Sequence, residues 1–181
     1  MKIFVAGARS VKELNEDVKK KLLSISEKRF DVLVGDCYGV DTAVQNYLIS
    51  LNYRNVTVFA SNGVARNNKG NWKVENVVVE EKTKGFDFYR QKDIAMTNAA
   101  DYGFMIWDGK SKGTLNNIVG LVAQGKKVVV YLVGADKMIS LSSFEDMNSL
   151  VSHCAPATKA LYQKLVMVPV PTSNYQLSLF D

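Results

Sequence analysis

The chain is poor in the residues from which most metal and acid–base sites are made. Its 181 residues include one histidine, His153, and two cysteines, Cys37 and Cys154. There is no Cys-x-x-Cys pair, no His-Glu-x-x-His and no second histidine to complete a zinc tetrad, so neither a metal nor a cofactor is expected. A Ser-His-Asp arrangement would have to use His153, which lies in a segment flanked by Ser, Cys and Pro and far from the glycine-containing loops. No apolar run approaches the roughly 18 residues that span a bilayer, so no membrane association is expected. The opening Met1–Gly7 is too short an apolar stretch for a secretion signal and reads as a first strand. A cytoplasmic location follows as the expectation, with both cysteines reduced.

What is present is an ordinary globular composition: 47% hydrophobic and 23% charged residues, with a formal net charge of +5. The length suits one domain. The modest positive charge suits an anionic small ligand or weak nucleic-acid contact and selects neither. Strand and helix signals alternate. Lys2–Ala6, Asp31–Gly35, Val56–Ala60, Tyr102–Trp107 and Lys127–Val133 are short apolar runs, and Lys73–Glu81 suggests a further strand at a sheet edge or in a hairpin. Helical periodicity covers about 11–27, 40–51, 88–100 and 114–124, with two less regular helices around 142–151 and 157–165. Short buried-type strands separated by amphipathic helices predict an α/β, Rossmann-like, doubly wound domain with a mainly parallel sheet and helices on both faces. The domain is expected over residues 1–168, with 169–181 as an extended tail after Pro169.

In such sheets ligands bind beyond the carboxyl ends of the strands, where helix N-termini offer free N–H groups. Three strands here run into polar loops containing glycine. The first is Gly7-Ala8-Arg9-Ser10, the second Gly35-Asp36-Cys37-Tyr38-Gly39-Val40-Asp41, and the third Asp108-Gly109-Lys110-Ser111-Lys112-Gly113-Thr114, leading to Asn117. Gly7, Gly35, Gly39, Gly109 and Gly113 allow close backbone approach, and Arg9, Ser10, Lys110, Ser111 and Thr114 can hold a phosphate. Asp36, Asp41 and Asn117 can meet ribose or a base edge, and Arg66 beside two asparagines is a further candidate contact. The plainer reading is that the glycines make turns and the aspartates cap helices. Three such loops at one sheet edge favour a nucleotide-like ligand. The GxxxxGK[ST] spacing of an ATP-hydrolysing phosphate loop is absent.

These three loops, in this order, resemble the SLOG superfamily, which includes the LOG phosphoribohydrolases, the DprA/Smf DNA-processing proteins and the YspA/YpsA-like proteins. The resemblance covers about 1–133 and is closest to the YspA-like branch, through the G-x-R opening, the second loop ending in Gly-Val-Asp, and Trp107-Asp108-Gly109-Lys110-Ser111-Lys112-Gly113-Thr114. It implies a Rossmann-like, often homodimeric protein that binds nucleotides or ligands derived from them. In enzymatic relatives, which cleave N-glycosidic bonds, a carboxylate lies three positions after the Gly-Thr threonine. Here that residue is Asn117, which cannot act as nucleophile or base. The relatives' Arg-Lys pair on the preceding helix corresponds to Lys92 and Asp93. A rearranged active site would therefore draw on Asp108, Asp93 and Lys92. The resemblance leaves three readings: a nucleotide sensor or processing module, an N-glycosidic hydrolase or transferase, and a DprA-like adaptor on DNA.

The last residues are a separate signal. Gln176-Leu177-Ser178-Leu179-Phe180 resembles the pentapeptide by which bacterial polymerases and their accessory proteins dock on the sliding clamp. Gln176, Leu177, Leu179 and Phe180 would be the anchors. The alternative is that these apolar residues fold back on the domain or on a dimer interface.

Overall fold

The computed structural model describes residues 1–167, and the tail with Gln176, Leu177, Leu179 and Phe180 lies outside the described residues. Thirteen elements follow one another. They are β1 (Lys2–Gly7), α1 (Glu16–Glu27), β2 (Asp31–Gly35), α2 (Val40–Ser50), β3 (Val56–Ser61), β4 (Lys73–Val77), α3 (Gly85–Ala99), β5 (Tyr102–Trp107), α4 (Lys112–Ala123), β6 (Val128–Leu132), β7 (Lys137–Leu141), α5 (Phe144–Ser152) and α6 (Pro156–Met167). The strands form one sheet in the order β4-β3-β2-β1-β5-β6-β7, parallel except for β7. This is the expected α/β Rossmann-like architecture.

Side chains alternate across the strands, so each strand feeds two cores. Phe4, Leu33, Phe59 and Met105 join Met96 of α3, Leu115, Ile118 and Leu121 of α4, and Met147 and Leu150 of α5. Ile3, Val5, Val32, Val34 and Val58 face the other way, onto Val18, Leu22 and Ile25 of α1 and Val44 and Leu48 of α2. Truncating a fully buried anchor such as Phe4 to alanine costs about 3–5 kcal/mol by the usual cavity arithmetic.

Three boundaries depart from the sequence reading. Residues 11–15 are loop, because Asn15 takes the N-cap position and accepts from the Val18 N–H at 3.0 Å. The strand β4 is a parallel edge strand beside β3, not half of a hairpin. Lys137–Leu141, read as irregular, is the antiparallel strand β7, joined to β6 by a turn in which Gly134 and Asp136 have positive φ. No helix among the described residues is long and apolar enough to cross a membrane.

Strand order runs leftward from β1 to β4 and rightward from β5 to β7. The reversal falls between β1 and β5, and this is where an open α/β sheet leaves a crevice at its carboxyl edge.

Candidate functional site

A cavity of about 540 Å³ occupies that crevice, within the size range of small-molecule sites. Gly7, Arg9 and Ser10 enter it from β1 and the loop after it, and Cys37 and Asp41 from the β2–α2 connection. Asp108, Ser111, Gly113, Thr114 and Asn117 enter from the β5–α4 side. The opposite wall is α3, which supplies Gly85, Phe86, Tyr89, Arg90, Lys92, Asp93 and Met96. Gly35, Asp36, Gly39, Arg66, Gly109 and Lys110, also expected at the ligand, do not line the cavity. Gly39 has a structural task instead. Its φ is +82°, and a Cβ there would run into the backbone of Arg9, so glycine lets the first two loops pack together.

The third loop is organised by Asp108. One carboxylate oxygen accepts from the backbone N–H groups of Lys110 (3.0 Å) and Ser111 (2.7 Å), and the other from the Ser10 hydroxyl (2.8 Å). Burial works to raise its pKa, but the N–H groups of Ser111 and Lys110 and the Ser10 hydroxyl outweigh it and hold the carboxyl below its ordinary value. Both oxygens are committed to the loop, so Asp108 braces it and joins it to the first loop. Ser111 is the N-cap of α4 and accepts from the Thr114 N–H and hydroxyl at 3.4 and 3.0 Å. The fully buried Trp107 donates its ring N–H to the Ser111 carbonyl, fixing the loop from below.

Two buried acid–base groups lie at the end of β2. Asp36 takes the Arg66 guanidinium as a fork, Nη2–Oδ1 at 2.7 Å and Nε–Oδ2 at 3.0 Å, and also accepts from the Arg66 backbone N–H at 3.1 Å. Burial pushes the Asp36 pKa up, and the Arg66 hydrogen bonds more than reverse it. Asp36 and Arg66 therefore satisfy each other outside the cavity rather than waiting for a ligand.

Asp41 and Asp93, by contrast, share Lys92, which is 2% exposed. Its Nζ is 2.8 Å from Asp93 Oδ1 and 4.0 Å from Asp36 Oδ1. Burial lowers the Lys92 pKa, yet the charges of Asp93 and Asp41 prevail and raise it, so the ammonium persists. Asp41 accepts from the Cys37 N–H at 3.0 Å. Burial pushes its carboxyl up to about 6 against the pull of Lys92.

Unused capacity remains around the cavity. Arg9 rests over the Tyr89 ring at 5.7 Å and reaches Cys37 Sγ at 3.7 Å, but neither Arg9 nor Arg90 is in an ion pair among the described residues. Asn117 is 7% exposed, lines the cavity, and its side-chain amide has no hydrogen-bond partner among the described residues. No group of His, Cys, Asp and Glu there is arranged to hold a metal ion.

The contribution of α3 was the part least visible in the sequence. Phe86, Tyr89, Arg90 and Met96 sit in a charge-rich stretch, Arg66–Lys92, with seven basic and four acidic residues. The one available signal was the aromatic pair Phe88-Tyr89 before Arg90, which on a solvated arm has no partner. In the structure Tyr89 packs against Arg66 at 4.7 Å as well as Arg9, tying two loops to the helix.

No protein-family model matches this chain, and no curated protein matches its sequence. Among solved structures it is similar to DNA processing protein A from Helicobacter pylori, with a TM-score of 0.57 at 10% identity, covering 92% of this chain and 80% of that one. That protein's structure was described for its single-stranded DNA binding mode. At this identity the likeness is one of fold, that of an α/β Rossmann-like domain.

Proposed function

We propose that this chain is a SLOG-type domain, spanning 1–168, that binds a nucleotide or nucleotide-derived ligand in the cavity at the β1/β5 crevice. The observation that carries the reading is the unused capacity gathered in one place. Two arginines without carboxylate partners and the Asn117 amide, which no protein group engages among the described residues, line a single cavity. Cationic and amide groups that no protein group engages, gathered at one cavity, are free to meet an anionic, hydrogen-bonding ligand. The phosphate would meet Arg9, Arg90 and the N-terminus of α4 around Gly113, where helix N–H groups favour an anion. The sugar and base would lie toward Asp41, Asp93 and Asn117.

Calorimetry with a panel of nucleoside monophosphates tests this. Binding is expected in the micromolar range or tighter, and Arg9→Ala together with Thr114→Ala should weaken it at least tenfold. Unchanged affinity in that variant removes the cradle.

A catalytic version of the same site has one candidate carboxylate. Asp93 Oδ1 is taken by Lys92 while its other oxygen has no protein donor, whereas Asp108 is wholly engaged in its loop. Release of free base from nucleoside monophosphates, followed by mass spectrometry and lost in Asp93→Asn, would make the protein an N-glycosidic hydrolase. Intact ligand retained without turnover leaves a binding module.

The DNA-associated reading draws on the fold likeness and on the net charge of +5. It calls for single-stranded DNA affinity that falls steeply with salt. Sliding-clamp docking through Gln176, Leu177, Leu179 and Phe180 is a separate proposal, tested by deleting 176–181 and measuring clamp binding alongside the melting temperature. Light scattering tests the homodimer.

A further inference from the structure

Cys37 lines the cavity and has no part in the nucleotide reading above. Its thiol is free and partly exposed, and it faces two guanidinium groups. Arg66 Nη2 donates to Sγ at 3.0 Å, and Arg9 Nη2 reaches it at 3.7 Å. The backbone of Cys37 is pinned on both sides, its N–H donating to Asp41 Oδ2 and its carbonyl accepting from the Thr42 hydroxyl, each at 3.0 Å. A partly exposed thiol in electropositive surroundings is the setting in which reactive cysteines are found. The other thiol is the opposite case. Cys154 packs against the core, its Sγ lies 3.7 Å from the Leu150 carbonyl, and burial pushes its pKa up.

The two arginines at Cys37 are not equivalent. Arg66 is fixed by its fork to Asp36, whereas Arg9 has no acid partner among the described residues and is a phosphate contact in the nucleotide reading. One oxygen added to Sγ would carry an anionic acceptor into the gap to Arg9, and a hydrogen bond to an anion is much stronger than one to a thiol. Asn117 marks the same cavity independently as a place for a ligand. It is 7% exposed, yet neither amide atom is sealed from solvent and no protein group engages them among the described residues.

Resting on the nucleotide reading for its ligand, we propose that Cys37 is an oxidation site whose sulfenate draws Arg9 away from the phosphate and so weakens ligand binding. The deprotonated sulfur attacks one oxygen of hydrogen peroxide, and an S–O bond forms as the O–O bond breaks. The other oxygen takes up the thiol's proton and leaves as water, so the sulfur is oxidised and the peroxide reduced. A thiol reductant reverses the step.

The test uses the full chain at pH 7.5, treated with hydrogen peroxide and trapped with dimedone. Peptide mass spectrometry should show Cys37 labelled about tenfold faster than Cys154, and Arg9→Gln should slow that labelling. Calorimetry on the oxidised protein should show nucleoside monophosphate affinity about tenfold lower, recovered with dithiothreitol. In Cys37→Ser, peroxide should leave the affinity as it was before treatment. Equal labelling of the two cysteines, or none at Cys37, overturns the oxidation site, and an unchanged rate in Arg9→Gln overturns the part given to Arg9. Labelled Cys37 with unchanged affinity overturns the switch alone. Failure of the reduced chain to bind any nucleotide removes the nucleotide reading and the switch with it, while the labelling still decides the oxidation site. The comparison of the two thiols in the wild-type chain holds even where Arg9→Gln does not fold.

Discussion

Asp36 and Asp41 are five residues apart, one in the loop after β2 and the other in the first turn of α2, and both are nearly out of solvent, yet they behave as different kinds of residue. Asp36 has a guanidinium fork to itself and stays well ionised. Asp41 has no arginine of its own, only the charge of a lysine paired with Asp93, and burial pushes its carboxyl up to about 6. Burial is common to both, so burial is not what separates scaffold from candidate chemistry. The difference is the local charge balance. A carboxylate with its own bidentate arginine is finished, whereas one in a cluster short of cations is still open to a proton or a ligand.

The sharpest way to break the comparison is to remove the shared cation. Lys92→Met leaves the buried Asp41 and the half-buried Asp93 without that counter-charge, and a loss of about 3–5 kcal/mol is expected in urea unfolding at pH 7.5. The loss should shrink at pH 5, where Asp41 accepts a proton; an equal loss at both pH values would mean that Lys92 matters only as packing.

Next in size is the titration of Asp41 itself. Its folded pKa, about 6, lies above the unfolded value, so the folded state binds the proton more tightly. The groups acting on it are Lys92 and Asp93 from α3 and Asp36 and Cys37 from the loop that precedes it. Its contribution to stability is greatest below pH 4, falls as pH rises from about 4 to 6, and is flat above. The total is on the order of 3 kcal/mol. Asp41→Asn should remove that component of the pH dependence, measured by chemical denaturation across pH 4–8.

Asn117→Leu should lower nucleotide affinity about tenfold, read by calorimetry, while leaving the melting temperature unchanged or raised, because it deletes an amide that no protein group satisfies. A fall of several degrees would place Asn117 in the scaffold. The smallest effect belongs to Asp36→Asn. Arg66 is 38% exposed at its side chain, so water takes over part of the lost pairing and about 1 kcal/mol is expected. A larger loss than for Lys92→Met would invert the comparison.

The alternation of short apolar strands with helices was enough to read the sheet and its two covered faces, and the polar loops after β1, β2 and β5 could be placed at one edge because parallel strands all end there. The strand β7 could not be read, since Lys137–Leu141 lies at an edge with only Leu141 fully buried and has no apolar run. Nor could the sequence separate Asp36 from Asp41. The arginine that settles Asp36 is thirty positions away, and the lysine that leaves Asp41 unsettled belongs to a helix that looks like a solvated arm. Charge balance arises only when four elements converge, and local pattern carries no trace of it. The engagement of Asp108 is hidden from the sequence for a related reason. A carboxylate in a ligand loop suggests catalysis, but two N–H groups and a hydroxyl had already claimed it.

The reversal of strand order at β1 and β5 also makes the molecule divisible. Strands β1 to β4 come from the first part of the chain and β5 to β7 from the second, and among the described residues β1–β5 is the one strand pairing that joins them. The link between the parts runs through residues 80–84, which are largely exposed. Helix α3, from the second part, packs back on β3 of the first. Cut within 80–84, the protein would become two fragments with the cavity on their seam. Their reassembly would then report on whatever fills it, turning the site into a sensor readable by fragment complementation.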